Sequence, residues 1–87
     1  MFDFSNKVVL ITGASYGFGE QFAYAFADAG ANLILTARSE DALMQVGKAC
    51  EEKGASVCVV AGDVSNEADV NAVIQAGIQQ LGKIDVL

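Results

Sequence analysis

A short apolar run, Val8-Val9-Leu10-Ile11, leads directly into the glycine-spaced segment Thr12-Gly13-Ala14-Ser15-Tyr16-Gly17-Phe18-Gly19, and that segment leads into an amphipathic stretch, Glu20 to Ala29. Few folds accommodate this order. The run is nearly all apolar and rich in β-branched residues, the pattern of a strand buried on both faces. After the glycines, Phe18, Phe22, Ala25, Phe26 and Ala29 recur at three- and four-residue spacing. That spacing predicts a helix from Tyr16 to Ala29, with the aromatic stripe Phe18, Phe22 and Phe26 in the core.

The alternation repeats along the chain. Lys7 to Thr12 is the first expected strand, and Gly30 stops the first helix. Asn32 to Ala37 reads as a second apolar strand. Ser39 is placed to cap a second helix, with Glu40 and Asp41 in its first turn. That helix carries Ala42, Leu43, Val46, Ala49 and Cys50 and ends at Gly54. Ala55 to Ala61 is a third strand. Ser65 is the expected cap of a third helix, followed by the acids Glu67 and Asp69 and reaching about Leu81. Gly82 closes it, and Ile84-Asp85-Val86-Leu87 begins a fourth strand.

The resulting β-α-β-α-β-α-β order is α/β. A helix in every crossover requires parallel strands and right-handed connections. A Rossmann-type doubly wound sheet in spatial order 3-2-1-4 follows, with the first two helices on one face and the third on the other. The ligand crevice belongs at the carboxyl ends of strands 1 and 4.

A pyrophosphate needs donors at close range and no side chain in the way. Gly13 permits the sharp exit from the strand, Gly17 a close approach of backbone to phosphate, and Gly19 tight packing of helix on sheet. The free N–H groups near Gly17 and Phe18 would face the anion along the positive end of the helix dipole. A glycine-rich turn that serves packing alone is the competing reading. Proline and low-complexity linkers are absent, so residues 1–87 are expected to form one dinucleotide-binding domain.

The rest of the composition narrows the partners. The chain has a formal charge of −6, and its five cations, Lys7, Arg38, Lys48, Lys53 and Lys83, are scattered. No basic stripe exists for nucleic acid. An acidic body must bind a phosphorylated ligand locally, with main-chain N–H groups and one or two cations. Histidine is absent, and Cys50 and Cys58 match no metal-ligand spacing. The two cysteines read as small buried apolar residues in a reducing cytoplasm, with a disulfide or a reactive thiol as the alternatives. Met1-Phe2-Asp3-Phe4 carries no basic leader, and no apolar stretch reaches membrane-spanning length, so a soluble, cytoplasmic protein is expected.

Thr12-Gly13-Ala14-Ser15-Tyr16-Gly17-Phe18-Gly19 resembles the T-G-x-x-x-G-x-G cofactor motif of the short-chain dehydrogenase/reductase family. Asp63-Val64 resembles the family's adenine-pocket dipeptide, and Gly82 to Leu87 resembles the lead into its fourth strand. The resemblance covers the whole chain. It implies that Asp63 accepts a hydrogen bond from the adenine amino group while the Val64 N–H donates to the ring. A turn acid that caps the next helix is the simpler reading of Asp63.

Strand 2 ends Thr36-Ala37-Arg38-Ser39, with no acid where an NAD site usually places one. Arg38 would hold a 2′-phosphate with its planar fork, and Ser39 and Ser15 could add hydrogen bonds. The resemblance points the same way, because NADP-preferring members carry such an arginine. Arg38 as an ordinary solvated cation is the rival. Those members often have a basic residue just before the second motif glycine, where this chain has Tyr16. Tyr16 either lies over the adenosine or is simply exposed. NADP(H) is therefore the expected cofactor, with NAD(H) as the second.

Catalytic residues are not expected in this stretch. The family reduces carbonyls with a Ser, a Tyr and a Lys in the pattern Tyr-x-x-x-Lys, in which the cation moves a phenol pKa of about 10 toward neutrality. Four residues after Tyr16 and Tyr24 lie Glu20 and Asp28. The family's Asn-Asn-Ala-Gly motif after the fourth strand is also missing. The chain reads as the amino-terminal half of a longer enzyme, with the substrate pocket and any homo-oligomer contacts formed elsewhere. An apolar edge at Leu87 would make an isolated monomer unstable. A non-catalytic nucleotide-binding module and a structural fragment are the alternatives.

Overall fold

The computed structural model describes residues 3–86. The elements run β1 (Val8–Thr12), α1 (Gly17–Asp28), β2 (Asn32–Ala37), α2 (Glu40–Glu52), β3 (Val57–Ala61) and α3 (Glu67–Leu81). The strands form one parallel sheet in the order β1-β2-β3. Val8 pairs with Asn32 and Thr12 with Thr36, while Leu33 pairs with Val57 and Ala37 with Ala61. All three strands therefore end at the same edge of the sheet.

Alternation along the strands divides the core in two. Val9, Ile11, Leu33 and Leu35 face α1 and α2, where they meet Ala23, Ala27, Leu43, Val46 and Cys50. Val8, Leu10, Ile34 and Cys58 face α3 through Val73. The expected split of two helices on one face and one on the other is found. Cys50 and Cys58 are both buried and unbridged, one in each half of the core. Burial pushes both thiols up from their ordinary pKa.

The described residues contain no fourth strand. Val86 makes a single parallel bridge to Val9, and Leu10 N–H donates to the Val86 carbonyl at 2.8 Å. That bridge lies on the side of β1 away from β2, and the Asp85 carboxylate accepts from Val8 N–H at 2.9 Å. Leu87, where the expected strand ends, is outside the described residues.

Two expectations about helices are corrected. Phe18 and Phe22 are not core: they are 82% and 55% exposed and stack on each other with centroids 6.3 Å apart. The buried residues of α1 are small, Ala23 and Ala27. Phe26 packs against the core, edge-on to Phe4 at 5.1 Å. The cap of α3 is Asn66, not Ser65: its side chain accepts from Ala68 N–H and Asp69 N–H. Ser39 does occupy the position before α2 but makes no side-chain capping bond.

Candidate functional site

The turn from β1 to α1 is built on two left-handed residues, Gly13 (φ 60°) and Gly17 (φ 67°). An L side chain is strained at both positions. The Ala14 N–H donates to the Thr36 carbonyl at 3.2 Å, which ties the turn to the end of β2. Gly19 secures the other end. A Cβ there would drive into the Gly13 carbonyl oxygen and come within 2.7 Å of its carbon. Only glycine lets the first turn of α1 lie against the loop that precedes it.

This leaves the start of α1 bare. Tyr16 is the N-cap residue, extended and without a side-chain capping bond, and it is 70% exposed. The first N–H groups of any helix lack intrahelical partners. A Cβ at Gly17 would meet open space, so nothing obstructs approach to these groups. Phe18 projects outward beside them, and Ser15 is buried under the turn.

The ends of β2 and β3 complete a groove of about 300 Å³, lined by Gly13, Ser15, Tyr16, Arg38, Gly62 and Val64, together with Ala37. Gly62 N–H donates to the Ala37 carbonyl at 3.0 Å, which holds the two strand ends level. The fold thus gathers Gly13, Ser15, Tyr16, Arg38 and Val64 around one opening. Gly17, Phe18 and Gly19 form the adjoining helix start, and Ser39 follows Arg38 as an exposed residue ahead of α2. No acidic side chain lines the groove, and Asp41 lies in the first turn of α2.

Asp63 sits beside this groove in the loop after β3. Its Oδ1 accepts from Ser65 N–H at 2.9 Å and from the Ser65 hydroxyl at 2.7 Å. Arg38 Nε stands 3.7 Å from the same oxygen. The Ser65 N–H and then its hydroxyl hold the Asp63 carboxyl below the usual range, with Arg38 a smaller influence. The simpler reading of Asp63, a turn acid capping the next helix, is half met: it braces the loop, and Asn66 caps the helix. Asp69 Oδ2 accepts from Asp63 N–H at 3.0 Å, a contact the sequence reading did not assign. The available signal was its position three residues after Asn66, where a first-turn side chain can fold back toward the preceding loop.

This arrangement fits a diphosphate at the helix start: bare N–H groups, no Cβ in the approach and one cation on the same groove. No group of three or more His, Cys, Asp or Glu side chains among the described residues could hold a metal ion. Tyr24 is remote in chemistry from a proton donor. Its hydroxyl donates to Glu20 at 2.7 Å, and that bond, aided by burial and the Glu20 charge, pushes its pKa up to about 12.

Comparison with known proteins adds a family. The short chain dehydrogenase family model matches residues 7–87. The chain is 44% identical over 80 residues to hydroxysteroid 11-beta-dehydrogenase 1-like protein of Danio rerio, covering 91% of this chain and 28% of that one. Among solved structures, a short chain dehydrogenase/reductase from Burkholderia phymatum in complex with NAD superposes with a TM-score of 0.92 at 40% identity, covering 99% of this chain and 31% of the other. L-sorbose reductase from Gluconobacter frateurii, complexed with NADPH and L-sorbose, gives 0.91 at 37% identity, covering 97% and 33%. The chain spans less than a third of the length of the curated relative.

Proposed function

The chain belongs to the short-chain dehydrogenase family, and from that premise we propose that residues 1–87 are the NADP(H)-binding portion of an oxidoreductase acting on an alcohol or carbonyl substrate. A nucleotide-binding oxidoreductase module is common ground among the relatives, one of which is a complex with NADPH and another with NAD. The observation that favours NADP(H) is the groove itself. It joins the bare start of α1 to Arg38 and has no acid in its lining. A 2′-phosphate would meet the guanidinium on its terminal nitrogens, with the Asp63 carboxylate on the far side, at Nε. NAD(H) binds the same site more weakly.

In this reading Gly13, Gly17, Phe18 and Gly19 present main-chain donors to the diphosphate. Ser15 and Ser39 add hydroxyls, and Tyr16 covers the adenosine. Arg38 holds the 2′-phosphate, and Asp63 and Val64 flank the adenine. When bound, the dinucleotide supplies or accepts the hydride. Proton transfer falls to residues outside this segment, because neither tyrosine here has a lysine four positions on. The alternative, a nucleotide-binding module without catalysis, is favoured for residues 1–87 by the Tyr24–Glu20 bond, which opposes phenolate formation. No helix among the described residues is long and apolar enough to cross a membrane.

The test is titration of the intact protein with NADPH and NADH, followed by assay against a carbonyl panel. Tighter binding of NADPH with substrate-dependent oxidation supports the oxidoreductase. Saturable binding without turnover of any carbonyl supports the non-catalytic module, and no saturable binding contradicts both.

A further inference from the structure

We propose that Asp69 is a positioning residue for recognition of the nucleotide base, acting through the backbone of Asp63. This rests on the assignment of the Asp63 carboxylate to the adenine amino group. The two oxygens of Asp63 are in different situations. Oδ1 is occupied by the Ser65 N–H and hydroxyl and faces Arg38 Nε. Oδ2 has no partner among the described residues, so it is the oxygen left to accept from a ligand.

Where Oδ2 points depends on the main chain of residue 63. The loop lies over a small cavity of about 30 Å³ lined in part by Leu10, Thr36, Val70 and Val73. Thr36 Oγ1 is buried there without a hydrogen-bond partner. Hydrogen bonds therefore help to set the loop above it. The Asp63 N–H goes to Asp69 Oδ2 at 3.0 Å, partly buried. Asp69 is itself fixed, because its own N–H donates to Asn66 Oδ1 at 3.2 Å in the capped first turn of α3. Gly62 closes the other flank, since a Cβ there would come within 3.3 Å of Asp69 Cβ. A chain of fixed groups thus runs from the α3 cap to the free oxygen of Asp63. Removing the Asp69 acceptor leaves the Asp63 N–H unpaired above the cavity, and the loop must shift to find water.

The experiment compares NADP+ with its hypoxanthine analogue, which lacks the amino group, by calorimetric Kd on the intact protein. Asp63→Ala is expected to abolish the preference for the adenine form. Asp69→Ala is expected to cut that preference about five- to tenfold, the scale of one ordinary hydrogen bond felt through the loop. Asp69→Asn, which keeps an oxygen acceptor, restores it to within about threefold. A purely structural role for Asp69 weakens both ligands equally, and that result overturns the inference. If Asp63→Ala itself leaves the preference unchanged, the adenine assignment falls and the inference falls with it. Amide exchange in the unaltered protein needs no variant: the Asp63 N–H should be protected before ligand is added, and exchange at the free-peptide rate contradicts the proposal.

Discussion

Arg38 Nε lies 3.7 Å from Asp63 Oδ1, an ion pair that joins the end of β2 to the loop after β3. Arg38 is 80% exposed, so the pair adds little to stability. Its consequence is geometric. The pair engages the side of the guanidinium, and the terminal nitrogens have no partner among the described residues. Those nitrogens are the bidentate half of the fork that recognises phosphate.

Replacing Arg38 with Asp should therefore weaken NADPH far more than NADH. A charge-assisted contact is worth about 1.5–3 kcal/mol, which corresponds to roughly ten- to a hundredfold in Kd for the phosphorylated cofactor. Fluorescence titration with both cofactors checks it. Equal losses would remove Arg38 from the 2′-phosphate.

Gly19→Ala and Gly17→Ala should fail for different reasons. At residue 19 the added methyl meets the Gly13 carbonyl, so α1 must back away from the turn. Thermal unfolding should show a loss of about 1–3 kcal/mol, typical of forced overpacking. At residue 17 the methyl has room, and the cost is the left-handed backbone, about 1–2 kcal/mol. Gly17→Val should also obstruct the helix start and remove binding of both cofactors.

Much of this was legible in the residues themselves. β2 was expected at Asn32–Ala37 and is found there, because the apolar Leu33-Ile34-Leu35 sits in a short stretch bounded by Gly30 and Arg38. The positive-φ turn at Gly13 and Gly17 was equally plain, since few residues other than glycine serve there. The α1 stripe was misread because periodicity identifies a row of large apolar residues but not how near the helix lies to the sheet. Ala23 and Ala27 take the buried positions of α1, while Phe18 and Phe22 remain exposed. The Asn66 cap was misplaced by one residue because the Ser65 hydroxyl is spent on Asp63, a contact no local pattern reveals. The pairing of Arg38 with Asp63 joins residues 25 positions apart and becomes visible only once β2 and β3 are aligned.

Gly77→Ala in α3 should destabilise the protein with no direct effect on the groove. The new methyl would collide with Ile34 Cδ1 and come within 2.9 Å of its Cγ1. A cost of about 1–3 kcal/mol is expected by chemical denaturation. Ile34→Val in the same molecule removes the colliding methyl and should recover part of the loss. Additive losses would show that α3 does not pack on β2 as described.

Tyr24 should ionise at about 12, above an ordinary phenol. The bond it donates to Glu20 is the main cause and is lost with its proton. Since the folded pKa is raised, this contribution to stability is complete below the unfolded value of about 10 and disappears as pH climbs toward 12. Ultraviolet titration should show the late transition, and Glu20→Gln should bring it down. A Tyr24 transition at the ordinary value in the unaltered protein would contradict the bond.

The most direct measurement follows the amide resonances of isotopically labelled intact protein as NADP+ is added. Saturable shifts centred on Gly13 and on Gly17 to Gly19, with Arg38 responding in the same titration, are the predicted result. Shifts confined to other surfaces, or none at saturating cofactor, would contradict a dinucleotide seated at the start of α1.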